Sequence, residues 1–225
     1  MTMFTTDALE GRCLPLFPSQ GQSFPSYDPA TGAEWSSMPD ATADEVDRAV
    51  RAARGAMTSA AWRDMSQTDR GSLMYRLADL ISQNVDRLSR LEVRDNGKLL
   101  KEMTALTHAV AASMRYFAGM ADKIEGTTIP VNKPDMLNFT LREPVGVIAA
   151  IVPWNSPLLL LNRAFSPAIA AGNAMVVKPS EHSAASILAF AELVAEAGFP
   201  PGVFNVVTGG GQTVVSSEVF RYAAC

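Results

Sequence analysis

The sequence predicts an α/β protein in which N-terminal helices pack on a partial parallel sheet. Apolar side chains recur at helical spacing between residues 42 and 121. From about residue 127, short apolar runs of strand length alternate with helical segments. Strands that alternate with helices form parallel sheets, so the second half of the chain predicts a β-α-β-α-β unit.

The helical part is predicted to begin with a capping box. Thr42 and Glu45 have the Thr-x-x-Glu spacing that starts many helices, and an apolar stripe follows them. A second helix is predicted to begin at Thr68, and a third to end at Asn96-Gly97. The fourth has a stripe of Met103, Leu106, Val110, Met114, Phe117 and Ala121. We interpret these stripes as packing surfaces of the core.

The second half of the chain predicts a short hairpin and then the sheet. Two short strands, 127–131 and 137–142, flank an Asn-Lys-Pro-Asp turn. The sheet strands are predicted at 145–152, 174–178 and 203–207, and the helices between them at 157–171 and 183–197. We expect the first strand to be buried on both faces and Pro167 to kink the first helix.

Three strands joined by two helices form one half of a Rossmann-like, doubly wound sheet. Right-handed connections place both helices on one face, and the N-terminal helices are expected to cover the other. Half of such a sheet also predicts that the third strand is a bare edge.

The composition argues against several classes of protein. With a net charge of −4 and no run of Lys and Arg, we expect no nucleic-acid partner. Polar residues and prolines interrupt every apolar stretch, so we expect no membrane span, and the N-terminus does not resemble a signal peptide. Cys13 and Cys225 fit neither a disulfide framework nor a metal site. We therefore expect a cytoplasmic protein without a bound metal.

Candidate binding residues follow the predicted strands, because ligands of doubly wound sheets bind beyond the carboxyl ends of the strands. The three segments are 153–157 (PWNSP), 178–181 (KPSE) and 208–211 (TGGG). An ammonium at Lys178 could donate to ribose or phosphate oxygens, and a carboxylate at Glu181 could accept from ribose hydroxyls. The residue types alone also fit a solvated strand end, a favourable charge at a helix N-terminus and an ordinary glycine turn.

Six segments in a fixed order decide between these interpretations. They are 28–32 (DPATG), 47–50 (DRAV), 95–98 (DNGK), 143–155 (with EPVGV and PWN), 170–181 (with AAGN and VKPSE) and 197–207 (AGFPPGVFNVV). Together they resemble the aldehyde dehydrogenase superfamily from roughly residue 27 to residue 211. The resemblance implies oxidation of a small-molecule aldehyde to a carboxylate with NAD(P) as cofactor.

The resemblance also implies roles for single residues. Asn155 would be catalytic, donating its side-chain amide to the oxyanion of a thiohemiacetal intermediate. The implied cofactor residues are Val152 and Trp154 along the cofactor path, Lys178 and Glu181 at the adenosine ribose, and Gly211 near the adenine. The carboxylate of Glu181 would repel a 2′-phosphate, so NAD is expected, with NADP as the alternative. The plain alternatives are a packed aromatic ring for Trp154 and a turn residue for Asn155.

The same resemblance predicts the domain organisation. Residues 1–126 are expected to form an N-terminal arm and the helical part of the cofactor-binding domain, 127–142 an oligomerisation hairpin, and 143–225 a partial NAD(P)-binding unit. A typical family member is roughly twice this long. The family pattern stops after Gly211, and we assign neither Cys13 nor Cys225 as its nucleophile. We therefore expect a chain truncated before the catalytic domain.

Two functions follow from this organisation. The first is an aldehyde dehydrogenase of which the chain carries only the cofactor-binding half and is inactive alone. The second is a non-catalytic fragment that binds nucleotide or joins oligomers, either with its own copies or with full-length subunits. The aldehyde is not specified, because the family's substrate funnel is built largely by the catalytic half.

Overall fold

The computed structural model describes residues 23–210, which form an α/β fold as predicted. The elements are β1 (Ser23–Tyr27), β2 (Glu34–Pro39), α1 (Ala43–Thr58), α2 (Ala60–Arg63), α3 (Gln67–Gln83), α4 (Val85–Asn96), α5 (Leu100–Met120), β3 (Thr128–Ile129), β4 (Asn138–Phe139), β5 (Val147–Val152), α6 (Pro157–Ala170), β6 (Ala174–Pro179), α7 (Ala185–Glu196) and β7 (Phe204–Val206). Within these residues, β1-β2 and β3-β4 are antiparallel pairs, and β5-β6-β7 is a parallel sheet.

The first hairpin, β1-β2, was not predicted, because the sequence analysis expected an extended arm there. Its turn is built by Asp28, whose carboxylate accepts from the Ala30 N–H at 2.9 Å and whose carbonyl accepts from the Gly32 N–H at 2.7 Å. Gly32 has a φ of 69°, which favours glycine. The strands carry prolines and serines instead of alternating apolar residues, so the usual strand pattern is missing.

Polar side chains cap the starts of α1 and α3, and a glycine caps the end of α4. The capping box of α1 is present: the Glu45 N–H donates to Thr42 Oγ1 at 3.3 Å, and the Thr42 N–H donates to the Glu45 carboxylate at 2.6 Å. The second helix, α3, begins one residue earlier than predicted, with Ser66 as its N-cap. Helix α4 ends at Asn96, and Gly97 is its C-cap. Gly97 has a φ of 73°, a left-handed conformation that glycine adopts readily.

The parallel sheet corrects two predictions. Strand β5 is partly exposed along most of its length and the Ile151 side chain is 53% exposed, so the expectation of burial on both faces was wrong. Among residues 23–210, β7 pairs only with β6 and is an edge strand as predicted, but its residues are buried, so this edge is not bare. Helix α1 packs across the sheet, and Thr208 after β7 is tied to the end of β2. Among residues 23–210, nothing pairs with the outer edge of β5.

The helices form a second layer beside the sheet. Helices α6 and α7 pack on each other and on the strands, whereas α3 and α4 pack mainly on α5, and α5 packs in turn on α6. Only α1 packs extensively on the strands, so the expectation that the N-terminal helices cover the sheet holds for that helix. Pro167 lies inside α6 without ending it. The carbonyl that loses its hydrogen bond there belongs to Arg163, an exposed residue that water can reach.

The second hairpin, β3-β4, is shorter than predicted. Each strand has two residues, and the register pairs Thr128 with Phe139. Its large apolar side chains are exposed: Ile129, Val131, Met136, Leu137, Phe139 and Leu141. In the part of the chain that the structure describes, no helix has the length and apolar character needed to cross a membrane.

Candidate functional site

The loops that follow β5, β6 and β7 lie at one edge of the sheet. The parallel register pairs Ile151 with Lys178 and Val177 with Val206, which aligns the carboxyl ends of the strands. Trp154 and Glu181, from the first two loops, line one cavity of about 440 Å³. The structure therefore brings together two of the predicted cofactor residues from different segments.

Lys178 and Glu181 form the polar centre of this edge. The Lys178 side chain is 8% exposed, and its ammonium donates to the Pro179 carbonyl and to the Glu181 carboxylate, both at 3.1 Å. An ammonium has three N–H donors, and the described residues accept two of them. The third N–H is available to a ligand. The Glu181 side chain is 41% exposed. Hydrogen bonds from its own backbone N–H and from Lys178 lower the pKa of this carboxyl below its usual range.

The loop after β5 carries Trp154 and Asn155 at the surface. The Trp154 ring is half exposed, and the Asn155 side chain is exposed and makes no hydrogen bond to the described residues. Asn155 is therefore free to donate to a ligand. Val152 is buried, and its carbonyl accepts from the Ser180 N–H at 2.8 Å. Gly211 lies outside the described residues.

Two acidic side chains at the end of α4 cap the helices of the sheet unit. Helices α6 and α7 have no side-chain cap of their own. The Leu158 N–H in the first turn of α6 donates to Glu92 Oε1 at 2.7 Å, and the Ala185 N–H at the start of α7 donates to Asp95 Oδ2 at 2.9 Å. Helix starts leave N–H groups unsatisfied, so α4 supplies the missing acceptors.

Lys98, just beyond α4, contacts the same loop. Its ammonium donates to Ser156 Oγ at 3.0 Å, and the Ser156 hydroxyl donates to the Asn155 carbonyl at 2.6 Å. The hydrogen bonds thus connect the end of α4 with the backbone of Asn155.

Burial dominates the electrostatics of Glu92. The residue is 1% exposed, and loss of solvation raises the pKa of its carboxyl from 4.5 to about 7. The hydrogen bonds from Leu158 and Ser186 and the charge of Lys98 oppose this shift. Burial likewise raises the pKa of Asp95, against hydrogen bonds from Ser26 and Ala185.

Glu92, Lys98 and Ser156 were not predicted as functional residues from the sequence. A signal existed for Glu92, because it lies four residues after Leu88 on the buried face of α4, where a charged residue is unusual without a partner. Its partner is a backbone N–H that is 66 residues away in sequence, which no local pattern shows.

The comparison with known families agrees with this geometry. The family model for the aldehyde dehydrogenase family matches residues 17–219. The chain belongs to the aldehyde dehydrogenase family. The parallel sheet and the Lys178–Glu181 pair at the carboxyl ends of its strands thus occur in a member of this family.

Individual relatives in the family are similar over most of this chain. The (Z)-2-((N-methylformamido)methylene)-5-hydroxybutyrolactone dehydrogenase of Acinetobacter baylyi is 50% identical over 195 residues, which cover 87% of this chain and 40% of that protein. An aldehyde dehydrogenase from Bacillus cereus, solved as an NAD⁺ complex, has a TM-score of 0.85 and 41% identity, covering 87% of this chain and 40% of that one.

An Escherichia coli protein described as an NADP dependent enzyme has a TM-score of 0.83 and 38% identity, covering 86% of this chain and 40% of that one. The chain thus spans about 40% of the length of these family members. Within residues 23–210, no group of three or more His, Cys, Asp or Glu side chains is arranged to hold a metal ion.

Proposed function

We propose that this chain is the cofactor-binding part of an NAD(P)-dependent aldehyde dehydrogenase that oxidises an aldehyde to a carboxylate. The observation that carries the proposal is the Lys178–Glu181 pair at the carboxyl edge of the parallel sheet. The alternative function, a nucleotide-binding fragment without catalysis, uses the same pair. Nucleotide binding is therefore the step to test first.

The residues present fit a nucleotide cofactor. The free donor of the Lys178 ammonium and the partly exposed Glu181 carboxylate supply one donor and one acceptor, as vicinal ribose hydroxyls require. A bound nicotinamide cofactor would supply the hydride acceptor for the oxidation. The negative charge of Glu181 disfavours a 2′-phosphate, so we propose NAD as the cofactor, with NADP as the alternative. Val152, Trp154 and, by resemblance, Gly211 are the other proposed cofactor residues.

Asn155 is the proposed catalytic residue of this part of the enzyme. Its side-chain amide is exposed and makes no hydrogen bond to the described residues, so it can donate without first breaking a bond. A fixed donor stabilises negative charge that develops on a carbonyl oxygen, and removing one such donor slows acyl-transfer enzymes by about 10²–10³-fold. We propose that Asn155 donates to the aldehyde oxygen in this way.

Binding of NAD⁺ is expected to depend on the Lys178–Glu181 pair. We expect the purified chain to bind NAD⁺ saturably in a calorimetric titration. The Lys178→Ala, Glu181→Ala double variant should weaken binding by about 100-fold or more, because two charge-assisted contacts are lost. Lys101→Ala, Glu102→Ala, an exposed pair on α5 with the same change in charge, is the control and should bind as the wild type does. Absence of saturable binding by the folded wild-type chain would refute the proposal.

A second candidate function, joining of subunits, is supported by the β3-β4 hairpin. Six large apolar side chains on and around its two short strands are exposed, although exposed apolar groups are normally scattered. We propose that residues 127–142 form a homo-oligomer contact or associate with full-length subunits.

The hairpin variant Phe139→Asp, Leu141→Asp is expected to raise the dissociation constant of the oligomer by about 10- to 100-fold, because apolar anchors dominate protein interfaces. Sedimentation velocity over a range of protein concentrations measures this change. Tyr75→Asp, which alters an exposed aromatic residue on α3, is the control. A wild-type chain that stays monomeric at high concentration would exclude the joining function for this chain.

A further inference from the structure

The loop that carries Asn155 is held from two directions by residues outside the sheet unit. On one side, Glu92 accepts the Leu158 N–H at 2.7 Å. On the other, Lys98 donates to Ser156 Oγ at 3.0 Å, and that hydroxyl donates to the Asn155 carbonyl at 2.6 Å. We call residues 155–158 the Asn155 turn.

We propose that Glu92 and Lys98 are positioning residues that fix the Asn155 turn, and with it the side-chain amide of Asn155. The inference rests on the proposed catalytic role of Asn155. Neither residue touches the reacting atoms, so both act through the backbone of the turn.

The local sequence leaves this turn without other support. Ser156 is the N-cap residue of α6, yet its hydroxyl donates backwards to Asn155 instead of accepting from the helix N–H groups. Pro157 has no N–H, so Leu158 provides the first N–H of the helix, and Glu92 accepts it. The start of α6 is therefore fixed by a side chain from α4.

The geometry of α4 makes the two contacts act together. Glu92 and Lys98 are joined by the last turn of the helix and the left-handed Gly97, which directs the chain away from the helix axis. A catalytic donor must be held within about 0.5 Å of its working position, and displacement by about 1 Å costs roughly 100-fold in rate. Two contacts, one from α4 and one from the residue just beyond its C-cap, meet that requirement better than a loop alone.

The positioning role is tested by hydrogen–deuterium exchange of the backbone amides of the Asn155 turn, measured by NMR on the 225-residue chain. Lys98→Met keeps the apolar stem and removes the ammonium. It should increase exchange of the Leu158 amide in the turn, and of the Leu160 amide that donates to the Ser156 carbonyl, by about tenfold, because one charge-assisted hydrogen bond that holds the turn is lost. Lys98→Arg should keep the wild-type exchange rates. Lys101→Met, at an exposed position of α5, should also leave them unchanged.

A pH series adds a measurement that general destabilisation would not reproduce. The amide chemical shift of Leu158 should titrate near neutral pH in the wild type and stay constant in Glu92→Gln, which keeps an acceptor oxygen but cannot ionise. Among the described residues, the charged groups that act on Glu92 are Lys98 and Asp95, and Ser186 of α7 donates its hydroxyl to the Glu92 carboxylate.

The outcomes separate this inference from the proposed function. Unchanged exchange in Lys98→Met, or an equal increase in α3 and in the turn, would overturn the positioning role. The same holds if Lys98→Arg fails to rescue. None of these readouts needs aldehyde or cofactor, so failure of NAD⁺ binding in the wild type would reject the proposed function and leave the positioning result intact. If Glu92→Gln does not fold, the Lys98 variants still decide.

Discussion

Replacing Phe165 by alanine is expected to lower the free energy of unfolding by about 3–5 kcal/mol. The Phe165 side chain is completely buried in α6. Its ring makes edge-on contacts with Phe190 and Phe204, each at 5.2 Å between ring centroids, and with Phe199 at 6.2 Å. These rings come from α7, from β7 and from the loop between them, so one side chain joins several parts of the sheet unit.

The loss is large for two reasons. The variant loses the stabilisation that burial of the ring gives to the folded state. A cavity also remains in the folded variant, because the surrounding rings cannot collapse fully into the space. A domain is typically stable by only about 5–15 kcal/mol, so the variant should be close to unfolding at room temperature. Urea denaturation followed by circular dichroism measures the change.

Tyr116→Ala is the matched control for this variant. Tyr116 is also a helical aromatic residue with one edge-on ring contact, to Phe117 at 5.2 Å, but it is mostly exposed. We expect its removal to cost less than about 1 kcal/mol. If the two variants lose similar stability, the aromatic cluster around Phe165 is not the centre of the core.

The second large effect is a dependence of stability on pH that originates in Glu92. The folded chain raises the pKa of this carboxyl from 4.5 to about 7, chiefly by burial. A raised carboxyl pKa means that the folded state holds the proton more tightly than the unfolded state does. The stabilisation is therefore complete below about pH 4.5 and is lost as pH rises through about 7, and it amounts to about 3 kcal/mol.

The difference between wild type and Glu92→Gln isolates this effect from other titrating groups. The glutamine keeps an acceptor for the Leu158 N–H but does not ionise. The free energy of unfolding is measured by urea denaturation at each pH. We expect the wild-type value minus the variant value to fall steadily between about pH 5 and pH 7 and to level off above pH 8. A difference that grows with pH would mean that the ionised carboxylate is the form that stabilises the start of α6.

Local sequence determined much of the fold. The capping box at Thr42, the glycine at the end of α4 and the alternation of strands with helices after residue 127 are signals that involve neighbouring residues only. Helix starts, helix ends and a parallel sheet could therefore be predicted within a few residues. Lys178 and Glu181 were predicted as candidate binding residues in this way, because strand ends are where doubly wound sheets bind ligands.

Tertiary structure decided the features that depend on distant residues. The apolar run of β5 gives no information about which of its faces other elements cover, and so its burial on both faces was wrongly predicted. The β1-β2 hairpin pairs polar, proline-containing strands that have no strand pattern of their own.

The support of Asn155 shows the same division. Its place after an apolar strand could be read from the sequence, together with the family motif that surrounds it. The sequence could not show which side chains hold its turn, since Glu92 and Lys98 lie 66 and 58 residues from the groups they bind. Hydrogen bonds over that separation form only when α4 packs beside the sheet unit, and side-chain patterns along the chain carry no record of that packing.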